Sequence, residues 1–419
     1  MLNRTAQPAL KAIDKIKFIA PKEYKITPHV SLYHMKDVPN ETTRFDLYFD
    51  AGKCRGKNAM ASFVNGLLLS GTKNKTSIEI NTEINGKGGF YESGISQENS
   101  VISVYSLREN IVDIFNTIKD AIKNVAFIEK EVLEFLSDRK QGFNISLQKV
   151  NYLAQRAFQE ELFGSNKNYS NTTELSDFEN VCIDDLKAFH SEYYLKGLSK
   201  VVVVGDLNEE TIQHFISESI EFSPESKPTY IDTIENNAGL RHIEKNNAVQ
   251  SAIRVGKILF NKNHTDYLDF LVLNTILGDY FGSRLMSNIR EDKGYTYGIG
   301  TMLAELNNVG YFMVATEVGA DLKEATLKEI QFEFERLKTE LVQEDELKLV
   351  QNYMLGQLLK SADGPYAMTD LFISVELHKL DLEFYNKAIY ALNNITAKRI
   401  QELAVKYLNW DDMSIVTAG

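Results

Sequence analysis

The chain has 419 residues, a formal net charge of −12, a charged fraction of 25% and a hydrophobic fraction of 43%. At roughly 100–200 residues per domain, this length predicts two or more domains with sizeable cores. The acidic charge argues against nucleic acid and against an anionic membrane surface as partners. No stretch approaches the ~20 apolar residues of a membrane span, and no apolar run near the N-terminus has signal-peptide length. We therefore expect a cytoplasmic protein that contacts no membrane, with a periplasmic location left open.

Strand patterns and helix patterns follow one another along the first half of the chain. Apolar residues that alternate with polar ones or form short apolar runs predict strands, and apolar residues spaced three or four apart predict helices. The predicted strands are VSLYHM (30–35), TRFDLYFDAG (43–52) and SVISVYSL (100–107), and the predicted helices are NAMASFVNGLLLSG (58–71), about 108–124 and about 129–162. The glycine-rich segment GKGGF (86–90) predicts a tight turn into a further strand.

The second half repeats this order of elements. The predicted strands are QSAIRVGKIL (250–259), TYGIGTML (296–303) and GYFMVATEV (310–318), and the predicted helices are DYLDFLVLNTILGDYF (266–281), a shorter one ending at Arg290, and several over about 321–390.

The two halves also end alike. Residues 186–205 and 400–419 align without a gap at an offset of 214, so that Tyr193 matches Tyr407 and Gly205 matches Gly419. Each segment predicts an amphipathic helix, a polar turn and an apolar strand closed by glycine. We therefore expect an α+β fold of two duplicated halves, each a mainly antiparallel sheet covered by helices on one face.

A polar segment near the middle of the chain separates these halves. Residues 222–240 contain two of the seven prolines and lack a strand or helix pattern. The predicted division is an N-terminal half at 1–221, a linker at 222–240 and a C-terminal half at 241–419. Such a linker would permit hinge motion between the halves.

Motifs for several common chemistries are missing from the sequence. It has no G-x-G-x-x-G fingerprint, no phosphate loop and no G-x-S-x-G elbow. No two of the seven histidines lie three or four residues apart, so no helical histidine pair can clamp a metal. His190 is predicted to be a packed or capping histidine. The two cysteines, Cys54 and Cys182, are predicted to be buried thiols rather than a disulfide.

The stretch IREDKGYTYGIG (289–300) carries the main candidate site. Arg290 lies seven residues before Tyr297, and Gly294 and Tyr295 lie between them. A glycine at this position predicts a positive φ or a close backbone approach. Tyr295 and Tyr297 alternate along one strand, so they should share a face. On the residues alone, Arg290 could instead pair with Glu291 or Asp292, and Tyr297 could face the core.

Placed in SRLMSNIREDKGYTY (283–297), this pattern resembles the pitrilysin/insulinase family of zinc metallopeptidases, in particular its shorter processing-peptidase-like members. LAQRAFQEELFG (153–164) and LNTILGDYFGSRL (273–285) are similar to further family segments in the same order. The resemblance covers nearly the whole chain. It implies a closed chamber in which peptides are cleaved.

The zinc motif of the family, H-x-x-E-H on a helix, is lost in this chain. The corresponding stretch is SFVNGLLLSGT (62–72), which puts Ser62 and Gly66 at the histidine positions and Asn65 at the glutamate position. Serine is a poor zinc ligand, glycine has no side chain, and asparagine cannot act as a carboxylate base. Glu131, Glu134 and Asp138 lie near the family's further ligand, but none is assigned. We expect no metal or cofactor on this chain.

The resemblance implies a role for the retained pair. In heterodimeric relatives, one subunit carries H-x-x-E-H and zinc, and the other carries the arginine and tyrosine. This chain is similar to the second kind, so Arg290 and Tyr297 should bind the substrate carbonyl and oxyanion, with Gly294 and Tyr295 as substrate-binding neighbours. The implied partners are a zinc-bearing paralogous subunit of similar length and peptide substrates. The alternatives are an inactive scaffold or peptide-binding protein of the same fold, and an independent hydrolase with an unrecognised site.

Overall fold

The computed structural model describes residues 13–36, 41–57, 59–164, 166, 168–222 and 234–419. These residues form two α+β halves, each built on one mixed sheet with its own apolar core. The predicted fold class is therefore confirmed. Among the described residues, no helix combines the length and the apolar character that crossing a membrane requires.

The first sheet has the strand order β1-β2-β6-β3-β5-β4. Only the β2–β6 pair is parallel. Its strands are β1 (Lys22–Thr27), β2 (Val30–Met35), β3 (Thr42–Phe49), β4 (Phe90–Ile95), β5 (Ser100–Leu107) and β6 (Leu198–Val204). The helices described in this half are α1 (Met60–Leu67), α2 (Ser77–Gly86), α3 (Ile111–Lys123), α4 (Glu129–Ser146), α5 (Val150–Phe163), α6 (Leu175–Glu179), α7 (Ile183–His190) and α8 (Glu209–Ile220).

The second sheet has the order β7-β11-β8-β10-β9, with β7 and β11 parallel. Its strands are β7 (Gly239–Ile243), β8 (Gln250–Leu259), β9 (Thr296–Glu305), β10 (Gly310–Gly319) and β11 (Ser414–Ala418). The helices described here are α9 (Tyr267–Leu277), α10 (Lys323–Thr339), α11 (Glu344–Ser361), α12 (Pro365–Glu376), α13 (Glu383–Asn394) and α14 (Ala397–Tyr407). A π-helical turn spans Met286–Asp292.

The two halves exchange one helix each. Helix α5 of the first half packs on β8 and β11 of the second sheet, and α12 of the second half packs on β6 of the first. Adding the offset of 214 to residues 150–163 gives 364–377, which is the position of α12, so the exchange follows the duplication. Each sheet is therefore covered on both faces, and the expectation of helices on one face only is wrong.

Charged side chains hold α12 against the first sheet. The guanidinium of Arg44 on β3 lies 2.7 Å from Asp370 and 3.1 Å from Asp46. Lys200 on β6 pairs with Glu376. Arg44 and Lys200 are buried, and a buried cation that loses a carboxylate partner is destabilising, so these pairs favour one position of α12 on the sheet.

The two ends of the predicted linker at 222–240 lie in described parts of the chain. Phe222 is fully buried in the first core, and β7 already begins at Gly239. Residues 223–233, the central part of the predicted linker at 222–240, lie outside the described residues.

Two smaller expectations concern single residues in the first half. His190 is buried and its Nε2 lies 2.7 Å from the carbonyl oxygen of Ile122, which confirms a packed histidine. Cys54 is buried, but Cys182 is exposed at the residue before α7, so the prediction of two buried thiols is wrong for Cys182.

Candidate functional site

Asn65, at the glutamate position of the zinc motif, is built into a neutral hydrogen-bond network. Its side chain is buried with 7% exposure on α1. The amide nitrogen donates to the Ser100 hydroxyl at 2.6 Å and to the Tyr194 hydroxyl at 3.3 Å, and the amide oxygen accepts from Ser93 at 2.9 Å. Both ends of the amide are thus bound to the sheet and to the segment after α7. The position has a packing role and holds no proton-accepting carboxylate.

Gly66, at the position of the second histidine, is exposed, and the tip of an aromatic ring lies where its side chain would begin. A Cβ atom built on Gly66 would lie 2.5 Å from the ring of Phe135 on α4, closer than real contacts allow. The guanidinium of Arg139, one helical turn along α4, lies 5.2 Å from the centre of that ring. Phe135 therefore lies in the way of a larger side chain at position 66.

Ser62, at the first histidine position, opens onto a cavity of about 180 Å³. The cavity is also lined by Tyr152, Gln155 and Gln159 of α5.

On α4, Glu134 forms an ion pair with Lys130, one helical turn earlier, at 3.8 Å. No group of three histidine, cysteine or acidic residues that could hold a metal occurs in the described parts of the chain. The residues at the three motif positions do not fit a zinc ion.

Arg290 is held by a widened helical turn. The amide of Lys293 donates to the carbonyl of Asn288, and the amide of Tyr295 donates to that of Ile289. Gly294 ends the turn with φ +67°, and a Cβ at this position would meet no atom within 4 Å. Glycine is therefore needed for the left-handed backbone and not for space, which confirms the predicted positive φ.

Polar contacts fix this turn against two long helices. Arg284 forms two hydrogen bonds of 2.9 Å with Glu346 of α11. The amide of Asn288 donates to Glu333 at 2.8 Å and to Glu329 at 3.1 Å, both on α10. Such anchoring reduces the entropy lost when a ligand orders the site.

The Arg290 guanidinium itself lies over an aromatic ring. Its central carbon is 4.7 Å from the centre of the Phe281 ring. Within the described part of the chain, the Arg290 side chain forms no ion pair and no hydrogen bond. The alternative in which it pairs with Glu291 or Asp292 is therefore wrong for this structure.

Tyr297 points away from the protein, and its side chain is 94% exposed. The pairing of β9 with β10 shifts between Thr316 and Val318, and the resulting bulge contains Tyr297 and Gly298. The Thr316 hydroxyl donates to the carbonyl of Gly298 at 2.9 Å, which fixes the bulge. Bulges redirect side chains in this way and are frequent beside active sites. The alternative of a core-facing Tyr297 is wrong.

Tyr295 does not share the face of Tyr297. It lies one residue before β9, is half-buried and packs against the second core. The expectation of a common face assumed an unbroken strand from 295 to 297, whereas β9 begins at Thr296 and bulges at once. Tyr297 thus points outward from β9, an edge strand of the second sheet, whereas Arg290 is half-buried and Tyr295 packs against the core.

Sequence reasoning missed Phe281 as a member of this site. It lies in the turn GDYFG after α9, and its side chain is 63% exposed. The only signal was an aromatic pair between two glycines, which does not reveal a contact with a residue nine positions later.

Comparisons with known proteins match the chain to one family. Residues 34–166 match the model for the insulinase family of peptidases (M16), and residues 180–354 match that for the peptidase M16 inactive domain. The crystal structure of a peptidase M16 inactive domain from Pseudomonas fluorescens has a TM-score of 0.86 at 22% identity, covering 96% of this chain and 98% of that one.

Two relatives in bacteria extend over most of the chain. A protein of Bacillus subtilis named "Uncharacterized zinc protease YmxG" is 21% identical over 348 residues, 83% of this chain and 85% of that protein. A protein of Helicobacter pylori named "Non-peptidase homolog YmxG" is 23% identical over 379 residues, 85% and 82% respectively. The chain belongs to the insulinase (M16) peptidase family, and its sequence contains no H-x-x-E-H motif.

Proposed function

We propose that this chain is the subunit without zinc of a heterodimeric metallopeptidase. A paralogous partner of similar length would supply H-x-x-E-H and the zinc ion, and this chain would supply Arg290 and Tyr297. The two donors would bind the carbonyl oxygen of a peptide substrate and the oxyanion that forms from it. The complex would cleave peptides inside a chamber between the subunits.

The observation that carries this proposal is that two strong hydrogen-bond donors have no acceptor within the described chain. Arg290 is anchored through its turn to α10 and α11, yet its fork forms no hydrogen bond within the described chain. Tyr297 is almost fully exposed at a fixed bulge. Donors held rigidly without an internal acceptor favour a role in binding an external oxygen.

The chemistry of the pair suits an oxyanion. A guanidinium fork and a phenol both donate to oxygen, and such bonds strengthen as negative charge develops. Removing one donor of this kind typically costs ~2.7–4 kcal/mol of transition-state stabilisation. The neighbouring edge strand β9 offers main-chain groups to which an extended peptide can add.

The state of the zinc-motif positions favours a partner over independent hydrolysis. Asn65 is bound into a neutral network and position 66 is a glycine, so this chain has no carboxylate base and no zinc ligand at these two positions. The water-activating group of the proposed reaction would therefore come from another chain.

A second candidate is an inactive scaffold or peptide-binding protein of the same fold. The Helicobacter pylori relative is named a non-peptidase homolog, which favours this second candidate. In that case Arg290 and Tyr297 would bind peptide without taking part in cleavage.

The test is to recover the tagged chain gently from its own source cells and identify stoichiometric partners by mass spectrometry. The proposal predicts a partner of roughly 400 residues that carries H-x-x-E-H, in keeping with duplicated chains of this kind. The chain alone and the partner alone should be inactive on fluorescein-labelled casein, and the mixture should be active and sensitive to chelator. Recovery of the chain without such a partner would favour the scaffold.

A further inference from the structure

We propose that Phe281 is a positioning residue that holds the Arg290 guanidinium in place and leaves its hydrogen-bond donors free for a substrate oxygen. This inference rests on the proposed function. It adds a residue outside the Arg/Tyr motif, identified from its ring contact with Arg290.

The turn that carries Phe281 is fixed against the strand that carries Tyr297. Thr301 of β9 donates its amide to the carbonyl of Gly278 at 3.2 Å. A Cβ on Gly278 would lie 2.5 Å from the Thr301 side chain, so the close approach requires glycine. The ring of Tyr280 packs on Tyr353 of α11 with ring centres 5.2 Å apart. Phe281 is therefore exposed but sits on a rigid turn.

An aromatic ring and a carboxylate differ in whether they use the N–H donors of the guanidinium that they contact. A carboxylate would occupy the in-plane N–H groups of the guanidinium, which are its only donors. A phenylalanine ring offers no acceptor oxygen, so a guanidinium that lies over it keeps N–H groups available for an external oxygen. Phe281 thus orients the Arg290 guanidinium and leaves its N–H groups available to bind a substrate oxygen.

A second arginine–phenylalanine contact in the same half shows the contrast. The Arg336 guanidinium lies 5.8 Å from the ring centre of Phe332 on α10, and Phe332 is also exposed. There, however, the fork donates to Glu333 at 3.1 Å and to Glu340 at 3.5 Å. Its donors are used within the chain. Phe332 therefore offers a matched control for Phe281.

The first experiment uses the purified full-length chain with isotope-labelled arginine. The Hε proton of Arg290, assigned with Arg290→Ala, should lie upfield because of the Phe281 ring current. Phe281→Leu should remove that shift, Phe281→Trp should keep it, and Phe332→Leu should leave it unchanged. An Arg290 signal that does not move in Phe281→Leu would overturn the positioning role.

The second experiment measures casein cleavage by the complex recovered from source cells. Phe281→Leu should lower kcat about fivefold with little change in KM, because a misplaced donor loses transition-state contact. Phe281→Trp and Phe332→Leu should remain near wild type. If Arg290→Ala is impaired while Phe281→Leu is not, the positioning role fails and the proposed function stands. If Arg290→Ala is fully active, the proposed function fails and this inference fails with it.

Discussion

Removing the Arg290 side chain should lower turnover by the assembled peptidase about 100-fold and leave folding and assembly intact. The magnitude follows from the ~2.7–4 kcal/mol that one oxyanion donor contributes. Folding should survive because, within the described chain, Arg290 forms no ion pair, so Arg290→Ala leaves no carboxylate unpaired. The loss should fall on kcat and kcat/KM together, since the contact matters most in the transition state.

The assay is steady-state cleavage of labelled casein by the recovered complex, with partner recovery measured on the same samples. Tyr297→Phe should give a comparable loss. If both donors serve one oxygen, the double variant should lose less than the product of the single effects, since coupled residues are not additive. Arg290→Lys should be intermediate because an ammonium cannot reproduce the planar fork. Wild-type turnover in both single variants, with assembly retained, would refute the reasoning.

Three further predictions concern the scaffold. Arg284→Ala should lower the free energy of unfolding by about 1.5–3 kcal/mol, measured with denaturant, because it removes both charged hydrogen bonds to Glu346; an unchanged midpoint contradicts this. A variant in which H-x-x-E-H is restored at positions 62, 65 and 66 should bind zinc more tightly with Phe135→Ala than without it, because the ring lies where the second histidine would begin. Zinc titration of the two variants measures this, and equal affinities would show that the ring is no obstacle. Burial lowers the pKa of His190 in the folded protein. As pH falls below about 6.5, the unfolded state therefore binds a proton before the folded state does, and the folded state loses stability in this pH range. The drop in Tm from about pH 7.5 to about pH 5.5 should therefore be smaller in His190→Gln than in wild type, and an equal drop would be evidence against this.

The duplicated α+β fold could be predicted because its signals are local. The pattern of a helix followed by an apolar strand closed by glycine, which ends at 205, recurs at the end of the chain. The predicted strands 30–35, 100–107 and 250–259 match the structure in their bounds. The exchange of α5 and α12 could not be predicted. The predicted helix at about 129–162 is two helices that separate near residues 147–149, where no proline or glycine marks a break.

The candidate site shows a similar division. The motif located Arg290, Tyr297 and the positive φ of Gly294, because each depends on residues a few positions apart. The bulge that separates the faces of Tyr295 and Tyr297 depends on pairing with β10, and the close approach to Gly66 comes from a ring on another helix. Such contacts between distant segments leave no periodic trace in the sequence. The roles of Arg290 and Tyr297 remain predictions.

A photo-cross-linking amino acid at position 297 tests the central claim most directly. Tyr297 is almost fully exposed, so the replacement should not disturb the fold. After irradiation of the complex in its source cells, cross-linked peptides are identified by mass spectrometry. The account predicts cross-links to the H-x-x-E-H helix of the partner, or to peptide held beside it. Cross-links confined to this chain or to unrelated proteins, with the partner present, would contradict it.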